Sequence, residues 1–275
     1  MAASFVVVPQ WQGSGSSRAM RLVDGAEAIR GDLPASSTRL VDVPLEAGDD
    51  QGTGVHRLSS IALVRDRLVD ALREANGPVI TIGGDCGVEL GAIGHVLTER
   101  PDVAVLWLDA HPDLNTPESS PSHAFTGMVL RTLLGDGPAQ LLPPVSLRSN
   151  RVVLAGIRST DPDEEVYLET HGIRVIDSSE VTAESLIEAL ESTGTTSVYV
   201  HVDLDVIDPS QFAGIGYPEP FGLDSTTLVD ALKAVLARFE FAGAGVTEFA
   251  PSTAESAVED LPTILRIVGA LAAAS

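Results

Sequence analysis

Eight short apolar runs, separated by longer amphipathic segments, most constrain the fold of this chain. The run VAVLWL has no polar residue, as expected for a strand that is buried on both faces of a parallel sheet. Similar runs rich in β-branched residues recur along the sequence. The predicted strands are Phe5–Pro9, Leu40–Val43, Val79–Ile82, Val103–Leu108, Val152–Ala155, Arg174–Ile176, Val198–Val202 and Gly243–Phe249.

The segments between these strands show helical periodicity. In residues 59–77, Ile61, Val64 and Leu68 share one face, and Asn76-Gly77 offers a stop. Further helices are predicted near residues 224–239 and over Pro262–Ala273. Strands that alternate with helices predict an α/β fold. We therefore expect one domain over residues 1–275, a three-layer, doubly wound fold with an eight-stranded parallel sheet.

Composition argues against several classes of partner. The 39 acidic and 17 basic residues give a net charge of −22, which repels nucleic-acid phosphates. No apolar run approaches the ~20 residues of a membrane span, and the N-terminus lacks the basic segment of a signal peptide. The single cysteine cannot form an internal disulfide. We expect a cytoplasmic protein without a nucleic-acid or membrane partner.

Potential metal ligands follow four of the predicted strands. In open α/β sheets, ligands gather at the carboxyl ends of the strands. A D-x-H-x-D run and a D-x-D run each send alternate side chains in one direction. Unpaired charges beside a core are unfavourable unless a cation compensates them. The residues concerned are Asp85, Cys86, Asp109, His111, Asp113, Asp203, Asp205, Asp208 and Glu248.

This group of residues predicts a site for a pair of divalent cations. Carboxylates with one imidazole suit hard or borderline ions such as Mn²⁺. Two neighbouring ions can activate water and orient an electrophile. Alternatively, each aspartate is an ordinary turn or helix-capping residue. That explanation suits any one of them, but it does not explain their convergence at several strand ends.

Four segments, GGDC, DAHPD, DLDVIDP and TEFAPS, resemble in order the signature segments of the ureohydrolase (arginase/agmatinase) family. The resemblance runs from about Phe5 to the last helix. It implies an arginase-like α/β fold and a dinuclear manganese site that hydrolyses guanidino groups. The implied ligands are Cys86, Asp109, Asp113 and Asp203 for one ion, and Asp109, His111, Asp203 and Asp205 for the other.

The resemblance also implies roles in catalysis and substrate binding. Glu248 matches the family carboxylate that pairs with the guanidinium, and Asp113 is expected to carry a proton to the departing nitrogen. DLNTPESSPS and IRSTDPDE are similar to the arginase segments that hold the substrate's α-carboxylate and α-amino groups. A guanidino amino acid is therefore expected rather than agmatine. The implied contacts are Asn115, Ser120, Ser122 and Asp161.

One departure from the family is Cys86, which replaces a histidine ligand where arginases have GGDHS. We expect a thiolate ligand, which would weaken the Lewis acidity of its metal and make Zn²⁺ a competitor of Mn²⁺. A buried inert cysteine is one alternative. A nucleophilic cysteine is another, but it requires a histidine base, and only His111 is matched to this site.

A second departure is Thr126, thirteen residues after Asp113, where the family has a histidine that moves protons. His123 lies three residues earlier; it is either a substitute for that histidine or a loop residue, and we interpret it as a loop residue. The remaining histidines fall outside the matched segments and are interpreted as structural. They are His56, His95, His171 and His201.

Both departures weaken the machinery that an unactivated guanidinium requires, since general acid–base catalysis is typically worth ~10²–10⁴-fold. N-hydroxylation lowers the pKa of a guanidine. Thr126 leaves room for the added hydroxyl and is expected to be a fifth substrate contact. The same departures resemble those of ureohydrolase relatives that act on N-hydroxylated guanidines. This resemblance implies Nω-hydroxy-L-arginine as substrate, with L-ornithine and hydroxyurea as products, a reaction of antibiotic biosynthesis. The alternatives are an arginase or other guanidino-acid hydrolase, and a non-catalytic binding protein with the same fold. We expect a monomer, with the family-type trimer or hexamer as the alternative.

Overall fold

The computed structural model describes residues 3–275 and places eight parallel strands in one sheet. The predicted α/β fold with an eight-stranded parallel sheet is confirmed. Every strand overlaps its predicted position, with ends displaced by at most three residues. The strands are Ser4–Val8 (β1), Thr38–Leu40 (β2), Val79–Gly83 (β3), Ala104–Leu108 (β4), Val152–Ile157 (β5), Arg174–Asp177 (β6), Ser197–Asp203 (β7) and Glu240–Thr247 (β8).

The order of the strands brings the four predicted ligand-bearing ends together. Across the sheet the order is β2-β1-β3-β8-β7-β4-β5-β6, and every neighbouring pair is parallel. β3 and β4 follow one another in sequence but are separated by β8 and β7. The four central strands therefore end at one edge, beside a crevice of the kind in which α/β folds bind ligands.

Helices cover both faces of the sheet and form a separate apolar core on each. Within residues 3–275 the α-helices are Arg21–Asp32 (α1), Leu58–Arg73 (α2), Glu89–Glu99 (α3), Val129–Leu133 (α4), Pro162–His171 (α5), Ala183–Ser192 (α6), Ser225–Arg238 (α7) and Ala254–Ala272 (α8). Of these, α1, α6, α7 and α8 pack on one face, while α2, α3 and α4 with Tyr167 of α5 pack on the other. This is the expected three-layer, doubly wound arrangement.

The last helix begins eight residues earlier than predicted. Thr253 and Ser256 form a reciprocal capping box: Ser256 N donates to Thr253 Oγ1 (3.1 Å), and Thr253 N donates to Ser256 Oγ (3.0 Å). The prediction placed the start at Pro262 because proline favours the first helical turn. In the structure Pro262 lies inside α8 instead. No helix among residues 3–275 is long and apolar enough to span a membrane.

The turn after β3 is fixed by a close approach of backbone to backbone at Gly84. A Cβ atom at this position would lie 1.6 Å from the carbonyl oxygen of Gln10, so no side chain fits. The next residue, Asp85, accepts hydrogen bonds from Gln10 Nε2 (2.8 Å), Gly13 N (2.8 Å) and Gly87 N (2.9 Å). The loop after β1 therefore holds the loop after β3, and with it the start of the segment that carries the chain's cysteine.

We expect Gly84→Ala to lower the free energy of unfolding by more than ~3 kcal/mol, beyond the usual range for overpacking, because backbone must move. Chemical denaturation monitored by circular dichroism measures this change. Gly31→Ala is the matched control, since nothing lies within 4 Å of its added Cβ. Its helical position should give a gain of up to ~1 kcal/mol. Equal stability of the two variants would contradict the proposed contact.

Candidate metal centre

The carboxyl ends of β3, β7 and β4 converge on a group of carboxylates, a thiol and two imidazoles, all of them buried except the half-buried His111. Donor atoms in this group approach one another closely, as the distances below show. Sequence analysis predicted all but one of these residues as ligands, and the structure brings them together. We call the group the metal-ligand cluster; its members are Cys86, Asp109, His111, His201, Asp203 and Asp205.

Cys86 begins a short 3-10 helix that Asp85 caps immediately after β3. Its thiol donates to Asp203 Oδ2 (3.1 Å), and its sulfur lies 3.2 Å from Thr247 Oγ1 and 3.8 Å from His201 Nε2. The residue is only 1% exposed. The sulfur therefore lies among oxygen and nitrogen donors, in the position expected for a ligand.

Asp109, His111 and Asp205 form the other half of the cluster. His111 Nδ1 lies 3.0 Å from Asp205 Oδ2 and 3.5 Å from Asp109 Oδ1. Asp109 Oδ2 accepts a hydrogen bond from Trp107 Nε1 (3.1 Å), and Asp205 Oδ1 accepts one from Ala110 N (3.0 Å). These bonds orient both carboxylates towards His111.

The donor atoms form three sets whose members all lie within 4.8 Å of one another. One set agrees with three of the four predicted ligands of one ion. The other two share Cys86, a predicted ligand of the second ion. The sets are Asp109–His111–Asp205, Cys86–Asp203–Glu248 and Cys86–Asp109–His201.

Two buried carboxylate oxygens beside the cluster have no hydrogen-bond partner. They are Oδ2 of Asp113 and Oε2 of Glu248. Both residues have left-handed backbone conformations, with φ of 53° and 65°. Such conformations are unfavourable for non-glycine residues and concentrate at functional sites. Among residues 3–275, Asp113 belongs to none of the three donor sets, although it was predicted as a ligand.

Negative charge is disfavoured on three of the buried groups, whereas His111 and His201 lower the pKa of Asp109 against the effect of burial. Burial, together with the charges of Asp205 and Asp109, raises the pKa of Asp203 well above its usual range. Burial and the charge of Asp203 likewise raise the pKa of the Cys86 thiol. Burial and the nearby Asp85 raise the pKa of Glu248 to about 8. A divalent cation would reverse this balance, so the donor set fits such an ion.

A cavity of about 260 Å³ opens beside the metal-ligand cluster. Asp113, Asp203 and Glu248 contribute to its wall at the cluster end. All five predicted substrate contacts also line it. They are Asn115, Ser120, Ser122, Thr126 and Asp161.

The predicted amino-acid contacts are linked by hydrogen bonds. Asn115 Nδ2 donates to Asp161 Oδ2 (2.8 Å), and the Ser120 and Ser122 hydroxyls lie 3.3 Å apart. Asp161 is the N-cap of α5, where it forms a capping box with Glu164. Glu164 also lines the cavity, and it was not identified from the sequence.

Thr126 is bound to the carboxylate that the family resemblance assigns to the guanidinium. Its hydroxyl donates to Glu248 Oε1 (2.7 Å), and the same oxygen accepts from Cys86 N (3.2 Å). Thr126 therefore orients Glu248, and one carboxylate oxygen is held while the other stays without a partner.

Sequence analysis missed His201, which it interpreted as structural. The residue is fully buried and stacks on Trp107, with ring centroids 3.6 Å apart. Its Nε2 lies 3.6 Å from Asp109 Oδ2. His201, Asp203 and Asp205 alternate along VHVDLD, so the periodicity that predicted the two aspartates would also have found the histidine.

The other histidines lie outside the metal-ligand cluster, apart from His111. His123 is exposed, and its ring lies 5.5 Å from that of His56. His171 stacks on Tyr167, and His95 lies 3.9 Å from Glu99. Their interpretation as loop or structural residues agrees with these positions.

The fold and the convergent strand ends define an arginase-type α/β protein. The chain matches the model of the arginase family over residues 18–271. This chain therefore belongs to the arginase family.

Curated and solved relatives agree with this assignment. An arginase of Staphylococcus aureus (strain MRSA252) is 31% identical over 199 residues, which are 68% of this chain and 64% of that protein, slightly under two thirds of its length. An Nω-hydroxy-L-arginine amidinohydrolase of Streptomyces lavendulae is 27% identical over 94% of this chain and 90% of its own. The fold matches that of Entamoeba histolytica arginase in complex with L-ornithine, with a TM-score of 0.86, 24% identity and coverage of 98% and 97%.

A pH prediction follows from Glu164, whose pKa burial raises from 4.5 to about 7. Its contribution to stability is complete below pH 4.5 and is lost as the pH rises through about 7. In metal-free protein, the unfolding free energy should fall with rising pH more steeply than in Glu164→Gln. Urea denaturation at several pH values measures this difference. Glu165→Gln, exposed on the same helix, is the control, and identical pH profiles for wild type and Glu164→Gln would contradict the prediction.

Proposed function

We propose that this chain is a two-metal amidinohydrolase that cleaves Nω-hydroxy-L-arginine to L-ornithine and hydroxyurea. The Streptomyces lavendulae amidinohydrolase of that substrate aligns along 94% of the chain. The observation that carries the proposal is the pair of unpartnered, buried carboxylate oxygens on Asp113 and Glu248. Both residues line one cavity beside the metal-ligand cluster, where one can hold a guanidine and the other can accept a proton.

The metal-ligand cluster would hold two divalent cations. We take these to be Mn²⁺, with Zn²⁺ as a competitor at Cys86 because thiolates favour softer ions. When bound, such ions lower the pKa of water and polarise the carbon that is attacked. The ligands would be Cys86, Asp109, Asp113 and Asp203 for one ion, and Asp109, His111, Asp203 and Asp205 for the other.

Glu248 would bind the guanidine group. Thr126 and the Cys86 amide both donate to its Oε1, which leaves the buried Oε2 available for the N–H groups of a substrate. Threonine is shorter than the histidine found here in arginases, so it leaves space for the hydroxyl of an N-hydroxylated guanidine. A guanidine of lower pKa also depends less on the proton transfer that the histidine would provide.

Asp113 would transfer the proton. Its Oδ2 has no protein partner, and its left-handed backbone holds the carboxylate at the wall of the cavity. From there it can accept a proton from the attacking water and give it to the departing δ-nitrogen. The C–N bond then breaks, and L-ornithine leaves as a neutral amine at that nitrogen.

The other end of the cavity would bind the amino-acid part of the substrate. Ser120 and Ser122 offer hydroxyl donors, and Asn115 an amide, to an α-carboxylate. Asp161 offers an acceptor to an α-ammonium group. Because Asn115 donates to Asp161, the two binding groups have fixed relative positions.

An arginase is the second candidate, favoured by the 31% identity with the staphylococcal enzyme. Thr126 argues against it, because no histidine occupies that position.

We further propose one cytoplasmic domain over residues 1–275, acting as a monomer, since a net charge of −22 opposes self-association.

The first test compares product formation from Nω-hydroxy-L-arginine and L-arginine by the Mn²⁺-loaded protein. We expect ornithine from the hydroxylated substrate at a rate at least ~100-fold higher, the lower bound of what a missing acid–base group contributes. Mass spectrometry should detect hydroxyurea in equal amount. Comparable turnover of both substrates would make the chain an arginase instead.

Asp203→Asn should lower kcat on Nω-hydroxy-L-arginine by at least ~100-fold, because it removes a negative charge shared by both ions. Metal content after dialysis should fall as well. Asp230→Asn is the matched control: Asp230 lies exposed on α7 and should leave both quantities unchanged. Wild-type turnover by the Asp203→Asn protein would exclude the two-metal assignment.

A further inference from the structure

A second layer of polar residues lies buried beneath the metal-ligand cluster. Glu89 of α3 is fully buried, and its carboxylate accepts a hydrogen bond from Tyr199 Oη (2.6 Å). Its other oxygen lies 2.9 Å from His201 Nδ1. None of these three residues has a role in the reaction proposed above.

Glu89 fixes the orientation and tautomer of His201. A carboxylate that accepts from both a phenol and an imidazole places the imidazole proton on Nδ1. Nε2 is then directed at Cys86 Sγ (3.8 Å) and Asp109 Oδ2 (3.6 Å). A carboxylate that holds the far nitrogen of a histidine is the usual outer partner of a metal-bound imidazole.

Gly245 on β8 provides the space for this carboxylate. A Cβ at that position would lie 1.7 Å from Glu89 Oε1. The arrangement of Glu89 and His201 therefore depends on the absence of a side chain at Gly245, in a neighbouring part of the sheet.

The distance from Nε2 to Asp109 Oδ2 suits coordination of a shared ion better than a direct hydrogen bond. The 3.6 Å separation from Asp109 Oδ2 exceeds the normal N–H···O range of about 2.7–3.2 Å. Neighbouring donor atoms of one ion, with bonds of about 2.0–2.3 Å, lie about 2.8–3.8 Å apart across octahedral to tetrahedral geometries. The observed 3.6 and 3.8 Å separations are close to these values.

We propose that His201 is itself a metal ligand. Together with Cys86 and Asp109 it supplies a thiolate, an imidazole and a carboxylate, a set that favours Zn²⁺ over Mn²⁺ at this half of the site. Arginases have a histidine ligand at position 86, and here His201 of β7 would supply an imidazole instead. The inference rests on the proposed two-metal site and assigns it an additional ligand.

The same geometry argues against a nucleophilic Cys86 with His201 as its base. The sulfur is enclosed by Asp203, Thr247 and His201 at 3.1–3.8 Å. Within residues 3–275, Cys86 is not among those that line the substrate cavity. A ligand can act from that position, whereas a nucleophile must reach the substrate.

The test measures metal binding without substrate. Metal-free wild type and His201→Asn are titrated with Co²⁺ and with Zn²⁺, and the thiolate-to-cobalt absorption band is monitored together with metal content. Wild type should bind two ions and show the band. His201→Asn should keep one ion, and the band should require at least ~100-fold more Co²⁺, more than the ~10–100-fold effect of losing an outer partner.

Further variants keep the test decisive if His201→Asn fails to fold. Glu89→Gln preserves volume and should weaken binding at the Cys86 half by ~10–100-fold while the other half is unchanged. His95→Asn, outside the cluster, is the control histidine substitution. Wild-type affinity and an unchanged band in both His201→Asn and Glu89→Gln would overturn the proposal.

The outcome for His201 is separable from that for the proposed function. Metal binding as expected, without turnover of Nω-hydroxy-L-arginine by the wild type, would support the ligand and refute the substrate. Turnover with no effect of His201 on metal binding would refute the ligand alone. A wild type that binds neither ion would refute both.

Discussion

Repulsion among buried carboxylates is the constraint on which the rest of this structure depends. Asp109, Asp203 and Asp205 lie at the carboxyl edge of the sheet, each at most 3% exposed. Such a group is unfavourable in a low-dielectric interior unless cations neutralise it. Rigid parallel strands hold the carboxylates in place, and the two apolar cores offset the free energy that this arrangement costs. The architecture therefore supports a site that would not stabilise a fold by itself.

Local sequence signals predicted the strands, and they singled out most of the residues that the structure brings together at the candidate site. Continuous apolar runs report burial on both faces, and alternate polar residues at strand ends report a shared direction. The predicted start of α8 was wrong because the helix begins at a capping box of Thr253 and Ser256, before Pro262, on which the prediction was based. Composition alone does not show which of two nearby helix-start signals the chain uses.

His201 and Glu89 were missed for a different reason, since their significance depends on strand order. His201 and Trp107 are register partners because β7 lies beside β4, although 94 residues separate them in sequence. Glu89 reaches the imidazole only because α3 packs where Gly245 of β8 leaves room. The alternation of residues along VHVDLD indicates that the side chain of His201 points the same way as those of Asp203 and Asp205. The residues that His201 contacts, however, are determined by tertiary structure.

The close packing around Cys86 limits which side chains this position accepts. The thiol is surrounded by Asp203, Thr247 and His201 at 3.1–3.8 Å, so a bulkier residue at position 86 would collide with the buried imidazole. A side chain at position 245 would in turn displace Glu89. Each of these positions therefore restricts the others, and a histidine at position 86 is accommodated only together with a change at position 201.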